Sequence, residues 1–255
     1  MRTLPRALLF DMDGTLTEPR QQITPEMIDA LSKIKPAIKK YLVTGSDMKK
    51  IEQQIPHDFL LSCFSRLYSC NGTKVWNCDL DMDDESLSIE PELIHKVTLL
   101  DHYSQSDINH IMGVLLKIAA DTHTKFKTGT FVEWRDSQIN FSVVGRNCTL
   151  AQREDYVIWD NKSSERKKII DKLRQEFAGW GLSFRLGGQI SIDITREGWD
   201  KSYAFENMHE SPDQCTFFGD KICPDGNDLD IAMKCAYYHH ADSVADVIIK
   251  LQEYQ

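Results

Sequence analysis

The chain has 255 residues, of which 41% are hydrophobic and 27% are charged, and its formal net charge is −9 at pH 7. These fractions are ordinary for a globular protein, and apolar residues spread along the whole chain argue against intrinsic disorder. An acidic chain is a poor general binder of nucleic acid, and no apolar run reaches the roughly 18 residues of a membrane span. We therefore expect neither a nucleic-acid partner nor a membrane partner.

The cysteines and the N-terminal residues indicate the cytoplasm. The seven cysteines are odd in number and no two have CxxC spacing, so neither a disulfide framework nor a zinc site is expected. Residues 1–5 lead directly into an apolar run that ends at an aspartate, which is unlike a secretory signal. We expect a cytoplasmic protein with reduced thiols.

The first part of the chain alternates between short apolar runs and helical patterns. Ala7 to Phe10 is a strand-sized apolar run that stops at Asp11, and residues 41–43 form a second run of this kind. Between them, Thr24 and Pro25 have the residue types of a helix N-cap and a first helical position. Strands that alternate with helices predict a doubly wound parallel sheet.

The middle of the chain follows a different pattern. Residues 131–135 and 139–143 alternate between apolar and polar side chains across a short turn, and residues 183–185 and 190–194 do so across a pair of glycines. Alternation across hairpins indicates an antiparallel sheet with one apolar and one polar face. This pattern therefore predicts an α+β module in the middle of the chain.

The apolar strand pattern returns near the C-terminus, where residues 215–218 lead into Gly219 and Asp220. A strongly acidic stretch at 79–92 has the composition of a linker and surface turn rather than of a metal cluster. The α+β module therefore interrupts an α/β one. We predict a core of residues 1–83 and 197–255 and an inserted cap domain of residues 84–196.

Polar residues follow the predicted parallel strands where each strand ends, which is the place of the ligand crevice in an open α/β sheet. Asp11 and Asp13 follow the first strand, and Ser46 follows the second. Of two carboxylates in such a crevice, one can attack phosphorus while the other moves a proton. A hydroxyl and free backbone N–H groups at a helix start bind phosphate oxygens.

A further acidic loop follows the last apolar run. Asp220, Asn227 and Asp228 offer carboxylate and amide oxygens, which suit Mg²⁺. Lys201 lies in the run EGWDK, and a lysine taken alone is usually a solvated side chain. Each of these motifs, taken alone, has an ordinary structural explanation, so the interpretation depends on their order.

That order, Asp then Ser then Lys then an acidic loop, resembles the haloacid-dehalogenase-like phosphotransferases. The chain more specifically resembles the eukaryotic-type phosphomannomutase family in the runs LLFDMDGTLT, VTGSD, FVEWRDSQINFSVVGRNC, GGQISIDITREGWDK and FFGDKICPDGNDLDI. The first and last runs would occur in many phosphatases, whereas the third and fourth are far more specific. The resemblance covers almost the whole chain and implies a Rossmann-like core with a cap built on an antiparallel sheet.

The resemblance also implies roles for individual residues. Asp11 would be the phosphorylated nucleophile, and Asp13 the general acid/base for the sugar hydroxyl. Ser46 would bind the transferring phosphoryl group, and Lys201 would neutralise its charge. The Mg²⁺ site, which would include the Met12 carbonyl, would use Asp11, Asp13, Asp220, Asn227 and Asp228. The substrate-binding residues would be Arg20, Arg135, Arg146, Arg153, Ser191 and Asp193.

The implied activity is the interconversion of mannose 6-phosphate and mannose 1-phosphate, with a hexose 1,6-bisphosphate as activator. This isomerase would supply mannose 1-phosphate for GDP-mannose synthesis, and the resemblance suggests a homodimer through the cap. Arginines suit the distal phosphate because a planar guanidinium binds phosphate with two hydrogen bonds. A Mg²⁺-dependent sugar-phosphate phosphatase remains the alternative, since it could share every core motif. A non-catalytic binding protein is disfavoured by the complete set of candidate residues.

Overall fold

The computed structural model describes residues 4–79, 90–224 and 226–255. These residues form two compact units, one made of Met1–Lys96 and Trp199–Gln255 and the other of Val97–Gly198. The first unit corresponds to the predicted core and the second to the predicted cap. Because the two units are separately compact, each is described by itself.

The strands, in chain order, are β1 (Ala7–Phe10), β2 (Lys39–Val43), β3 (Arg66–Ser69), β4 (Lys74–Asn77), β5 (Glu92–Lys96), β6 (Val132–Trp134), β7 (Ile139–Phe141), β8 (Leu182–Gly187), β9 (Ser191–Arg196), β10 (Cys215–Gly219) and β11 (Tyr237–His240). The α-helices are α1 (Pro25–Ser32), α2 (Met48–Gln54), α3 (His57–Cys63), α4 (Gln105–Asp121), α5 (Leu150–Ser163), α6 (Glu165–Glu176), α7 (Leu229–Lys234) and α8 (Val244–Leu251). Short 3₁₀ helices span Leu99–Asp101, Lys201–Asn207, Pro212–Gln214 and Gln252–Tyr254.

The first unit is built on one sheet with the strand order β11-β10-β1-β2-β3-β4-β5. The strands from β11 to β3 are parallel, whereas β4 and β5 are antiparallel additions at one edge. Chain order runs outward from β1 in both directions, to β2 on one side and to β10 on the other. The strand order therefore reverses between β1 and β10, and ligands bind at this switch point in sheets of this kind. The predicted doubly wound α/β core is confirmed.

Strand β1 lies at the centre of this sheet and is buried on both faces. Leu8 and Phe10 pack into one apolar cluster, which includes residues of α1, α3 and α8. Ala7 and Leu9 point to the opposite face and pack into a second cluster, which includes Phe217 of β10. Burial on both faces is the reason why this strand reads as a continuous apolar run rather than as an alternating one.

The helices that follow the strands begin where the sequence predicts. Thr24 caps α1 by accepting a hydrogen bond from the N–H of Met27, and Pro25 opens the helix. Asp47 caps α2 in the same way, by accepting a hydrogen bond from the N–H of Lys50. Because α2 starts directly after the end of β2, Ser46 lies immediately before a helix N-terminus.

The second unit is built on an antiparallel sheet with the strand order β6-β7-β9-β8. Its apolar face carries buried residues such as Ile139, Phe184 and Ile194, which lie side by side in the strand register. Helix α6 contacts β8 and β9, and α4 contacts β6. The opposite face is polar, as alternation predicts, so the inserted α+β fold is confirmed.

The limits of the two units differ from the predicted domain limits. The predicted boundary between residues 83 and 84, like most of the acidic stretch, lies outside the described residues. Strand β5, which the sequence assigns to the cap, belongs to the first unit because it pairs with β4. Among the described residues, none of the helices has the length and apolar character needed to cross a membrane.

Candidate active site

The loops that follow β1 and β10 start side by side. Phe10 pairs with Phe218 in the parallel register, and the N–H of Asp11 donates a hydrogen bond to the Phe218 carbonyl at 2.9 Å. Asp11 and Asp220 therefore emerge at neighbouring strand ends. Gly14 has a φ of +89°, and a Cβ atom on it would lie 2.6 Å from Oδ2 of Asp220. The close approach of the two loops requires glycine at this position.

Lys201 links two carboxylates inside this crevice. Its ammonium donates hydrogen bonds to Oδ1 of Asp11 and, at 2.5 Å, to Oδ1 of Asp228. The Lys201 side chain is fully buried. The other oxygen of Asp228 accepts the backbone N–H of Lys221 at 3.0 Å. These contacts hold the Asp11 carboxylate in one orientation at the end of β1.

The crevice holds more negative charge than Lys201 balances. Burial raises the pKa of Asp11, as do the neighbouring Asp228 and Asp220, and Lys201 opposes this rise. Burial also raises the pKa of Asp220, whose carboxylate pairs with Lys221 at 3.2 Å. For Lys201, burial would lower the pKa, but the two bound carboxylates outweigh burial and raise it. A cation bound beside Asp11 would favour its ionised form, which is the form that can act as a nucleophile.

The residues present fit a divalent metal ion. One carboxylate oxygen each from Asp11, Asp220 and Asp228 lies within 4.8 Å of the others. Oδ1 of Asn227 is buried and has no hydrogen-bond partner among the described residues. An all-oxygen donor set with an unpaired buried amide oxygen is suited to Mg²⁺.

Two further predicted metal ligands make local hydrogen bonds. The Asp13 carboxylate is not a member of the three-carboxylate group, and its Oδ1 accepts the backbone N–H of Arg20 at 3.1 Å. The Met12 carbonyl accepts the backbone N–H groups of Thr15, Leu16 and Thr17. The Met12 carbonyl and Asp13 stay predictions as metal ligands. Arg20 is exposed in a left-handed conformation, with a φ of 65°.

The second motif differs from the prediction in one respect. Ser46 is buried at the end of β2, as expected for a phosphate ligand. Its backbone N–H, however, donates to Oγ1 of Thr44 at 3.1 Å and is not free. The threonine two residues earlier forms a local turn that satisfies this donor. Within Ser46, the hydroxyl is therefore the group that remains for a phosphoryl oxygen.

In the second unit, two predicted arginines share one carboxylate on the polar face of the sheet. Arg135 donates to Glu133 from Nε at 2.9 Å, and Arg146 lies 3.2 Å from the same carboxylate. Arg146 also donates to Oδ1 of Asn140 at 2.6 Å, and Asn140 donates to Oδ1 of Asp193 at 2.5 Å. Sequence reasoning singled out neither Glu133 nor Asn140. The alternation of side chains along β6 and β7 could have indicated Glu133, because it places Glu133 and Arg135 on the same face of the sheet.

Another arginine that sequence reasoning missed organises the turn before β9. Arg166 is buried and pairs with Asp160 at 2.7 Å. Its Nη1 donates to the carbonyls of Gly187 at 2.9 Å and Ser191 at 3.1 Å. Arg166 therefore fixes the backbone that carries the predicted sugar-binding Ser191. Arg153 is also buried and lies on α5.

The structure thus brings the predicted residues together in two groups. In the first unit, Asp11, Lys201, Asp220 and Asp228 form one ionic cluster. In the second unit, Arg146 and Asp193 join through Asn140. The first group is suited to phosphoryl chemistry at Asp11, and the second offers guanidinium groups to an anion.

Comparisons with known proteins agree with this description. Two solved structures have a similar fold at 12% identity, which bears on the fold alone. An IMP-nucleotidase of Plasmodium falciparum has a TM-score of 0.62, with 98% of this chain and 68% of that chain covered. A haloacid dehalogenase-like hydrolase of Bacteroides thetaiotaomicron has a TM-score of 0.58, with 97% and 99% covered. The predicted haloacid-dehalogenase-like core with a cap is confirmed.

Proteins related in sequence are more similar to this chain than these two structures are. The chain is 36% identical over 227 residues to a probable phosphomannomutase of Caenorhabditis elegans, covering 88% of this chain and 85% of the relative. It is also 36% identical over 225 residues to phosphomannomutase 1 of Homo sapiens, covering 88% and 81%. The family model described as eukaryotic phosphomannomutase matches residues 27–254, a range that starts after Asp11 and Asp13. The predicted resemblance is confirmed, and the chain belongs to the eukaryotic phosphomannomutase family.

Proposed function

We propose that the protein is a phosphomannomutase that interconverts mannose 6-phosphate and mannose 1-phosphate through a hexose 1,6-bisphosphate and a phosphorylated Asp11. The observation that carries this proposal is the buried Lys201 ammonium shared by Asp11 and Asp228. This arrangement holds a carboxylate nucleophile next to fixed positive charge, which is what transfer of a negatively charged phosphoryl group requires. The relatives that cover most of the chain, and that carry the name phosphomannomutase, support the same activity.

In the first half of the reaction, the sugar accepts a phosphoryl group. A hydroxyl oxygen of mannose 6-phosphate attacks phosphorus on phospho-Asp11, and the bond between phosphorus and the aspartyl oxygen breaks. Asp13 takes the hydroxyl proton as general base. The products are a hexose 1,6-bisphosphate, an ionised Asp11 and a protonated Asp13. Lys201 offsets the charge that returns to Asp11.

In the second half, the bisphosphate presents its other phosphate. An oxygen of Asp11 attacks that phosphorus, the bond from phosphorus to the sugar oxygen breaks, and Asp13 returns its proton to the leaving oxygen. Mannose 1-phosphate and phospho-Asp11 result, so both protons and phosphoryl groups balance over the cycle. Ser46 would orient the transferring group through its hydroxyl, since positioning supplies much of the catalysis in phosphoryl transfer.

The metal site has a defined part in this scheme. Asp11, Asp220 and Asp228, with Asn227, would hold Mg²⁺. When it is bound, Mg²⁺ neutralises phosphoryl oxygens and favours the ionised form of the surrounding carboxylates. The chain's own residues supply the nucleophile, the proton carrier and the buried ammonium.

The cap would bind the phosphate that is not reacting. Arg135, Arg146 and Arg153 are the proposed clamp, with Ser191 and Asp193 placed for sugar hydroxyls and Arg20 as a further substrate contact. Arg135 and Arg146 both contact the carboxylate of Glu133, and a guanidinium group binds phosphate with two hydrogen bonds. A clamp of this kind serves a mutase, because either phosphate can occupy it in turn.

A phosphatase of the same superfamily is the competing function, with water as the acceptor in place of a sugar hydroxyl. Product analysis separates the two. With mannose 1-phosphate and a hexose 1,6-bisphosphate, we expect mannose 6-phosphate to form faster than inorganic phosphate. Release of inorganic phosphate without isomerisation would establish the phosphatase instead. We also propose that the protein is a cytoplasmic homodimer joined through the cap, supplying mannose 1-phosphate for GDP-mannose synthesis.

Removal of one metal ligand tests the metal site. Among the described residues, the Asp220 carboxylate pairs with the partly exposed Lys221 alone, so we expect the fold to persist in Asp220→Ala. The Mg²⁺ concentration for half-maximal activity should rise by about tenfold or more, since one charged contact is worth roughly 1.5–3 kcal/mol. Titration of activity against Mg²⁺ measures this. Asp213→Ala is the control, because the Asp213 carboxylate accepts a hydrogen bond from the nearby Ser211 hydroxyl. An equal Mg²⁺ requirement in both variants would contradict the site.

Removal of one clamp arginine tests the cap. We expect Arg146→Ala to lower kcat/KM for mannose 1-phosphate by roughly ten- to a hundredfold, the value of a charge-assisted contact. Acetyl phosphate has no distal phosphate, so phosphoryl transfer from it should change little. Arg174→Ala is the control, because Arg174 forms an exposed pair with Asp171. Equal losses with both donors would place Arg146 outside the clamp.

A further inference from the structure

Three consecutive residues after β3 adopt the left-handed backbone conformation. Cys70, Asn71 and Gly72 have φ values of 51°, 61° and 84°, and we call them the arch. Glycine adopts this conformation freely and asparagine tolerates it, but a cysteine adopts it only under strain. A strained run at the carboxyl end of a central parallel strand points to a function for its side chains.

Hydrogen bonds attach the arch to the second motif. The N–H of Cys70 donates to the Ser46 carbonyl and the N–H of Asn71 donates to the Thr44 carbonyl, both at 2.9 Å. Thr73, the residue that follows the arch, donates a hydrogen bond from Oγ1 to the Cys70 carbonyl at 2.7 Å. The backbone of the arch is therefore fixed directly beside the proposed phosphate ligand Ser46.

The arch also packs against the element that carries Lys201. A Cβ atom on Gly72 would lie 2.6 Å from the backbone nitrogen of Ala204, which belongs to the 3₁₀ helix that begins at Lys201. The arch thus contacts the loop that contains Ser46 on one side and the 3₁₀ helix that begins at Lys201 on the other. These two contacts determine its position.

The Asn71 side chain lies over this loop. Its Oδ1 would be 3.1 Å from a Cβ atom on Gly45, which places the amide beside the residue before Ser46. Among the described residues, Asn71 makes a hydrogen bond through its backbone N–H alone. Asn71 is half-buried, and its amide offers two donors and one acceptor.

We infer that Asn71 is a further substrate-binding residue, which contacts the sugar phosphate at the reacting end beside Ser46. An amide suits a ligand that presents both phosphoryl oxygens, which accept hydrogen bonds, and sugar hydroxyls, which donate and accept them. This inference rests on the proposed sugar-phosphate activity. The αL backbone explains why the position suits asparagine, since few other polar side chains tolerate that conformation.

The test is the variant Asn71→Gly, which removes the amide and keeps a residue suited to the left-handed backbone. We expect kcat/KM for mannose 1-phosphate to fall by roughly ten- to a hundredfold, as for the loss of one hydrogen bond to a charged ligand. Calorimetric affinity for mannose 6-phosphate should fall in parallel, with an unchanged unfolding midpoint. Asn71→Asp should lose more than Asn71→Gly, because a carboxylate repels phosphate.

Ser164→Gly is the matched control, since Ser164 also has a left-handed φ, of 53°, and lies between α5 and α6. It should leave activity and sugar-phosphate affinity unchanged. Wild-type kinetics and affinity in Asn71→Gly would overturn the inference while the wild-type mutase activity stood. A lower unfolding midpoint with unchanged sugar-phosphate affinity would also overturn it, since the role would then be structural. A wild-type protein that fails to isomerise the sugar would instead refute the proposed function.

Discussion

The variant Asp11→Asn is expected to lose at least about a thousandfold in turnover, or ~4 kcal/mol of transition-state stabilisation, while it keeps its fold. The substitution preserves the size of the side chain and removes the nucleophilic oxygen. The fold should survive because Lys201 keeps its second carboxylate partner, Asp228, at 2.5 Å. Isomerisation of mannose 1-phosphate by the purified variant measures the loss.

Asp29→Asn provides the control for this substitution. Asp29 lies on α1 in an exposed pair with Lys33, so its loss should leave activity within experimental error. If Asp11→Asn kept more than about a tenth of wild-type turnover, a barrier change of only ~1.4 kcal/mol, Asp11 would not be the nucleophile.

The second large effect is expected for Lys201→Met. Lys201 lies fully buried between Asp11 and Asp228, and its loss leaves two buried carboxylates without a counter-charge. Breaking a buried pair in this way costs about 3–5 kcal/mol, so the free energy of unfolding in chelator should fall by that amount. Urea unfolding measures it. Addition of Asp11→Asn to the variant should return part of the lost stability.

The exposed residue Lys33 gives the matched comparison. Lys33→Met breaks a surface pair with Asp29, and the free energy of unfolding should change by less than about 1 kcal/mol. A similarly small change for Lys201→Met would mean that the buried carboxylates are not ionised in the folded protein. Failure of the added Asp11→Asn to recover any stability would contradict the same point.

The core was predictable because its strands are buried on both faces. The residues of β1 divide between two apolar clusters, so the strand appears as an unbroken apolar run that ends at Asp11. The pairing of β1 with β10 brings Asp11 and Asp220 together at the switch point, where the ligand crevice of such a sheet lies. The sequence could not predict that Lys201 bridges Asp11 and Asp228. The contact with Asp11 joins residues 190 positions apart, so it depends on the path of the folded chain.

Helix α5 is the clearest failure of pattern reasoning. Its buried positions are Arg153, Tyr156 and Asp160, whereas the apolar Ile158 and Trp159 are exposed. The usual apolar stripe is therefore absent from the buried side, and hydrophobic periodicity does not reveal the helix. The buried charge of Asp160 is balanced by Arg166, a contact that only the folded chain creates.

The site in the cap was predictable in part. Alternation along the hairpins assigns polar residues of β6, β7 and β9 to one face, and this is where Arg135 and Asp193 lie. Which arginine meets which acceptor depends on strand register, which the sequence does not reveal. Glu133 and Asn140 were missed for that reason, although the register pairs them directly.

The most direct test of phosphoryl transfer through Asp11 is a single-turnover experiment with a radiolabelled hexose 1,6-bisphosphate and wild-type protein. We expect label on the peptide that contains Asp11, and we expect mannose 6-phosphate to discharge it much faster than water does. The Asp11→Asn variant should remain unlabelled. Label elsewhere in the chain, or discharge to water at the same rate as to the sugar phosphate, would contradict the proposed mutase.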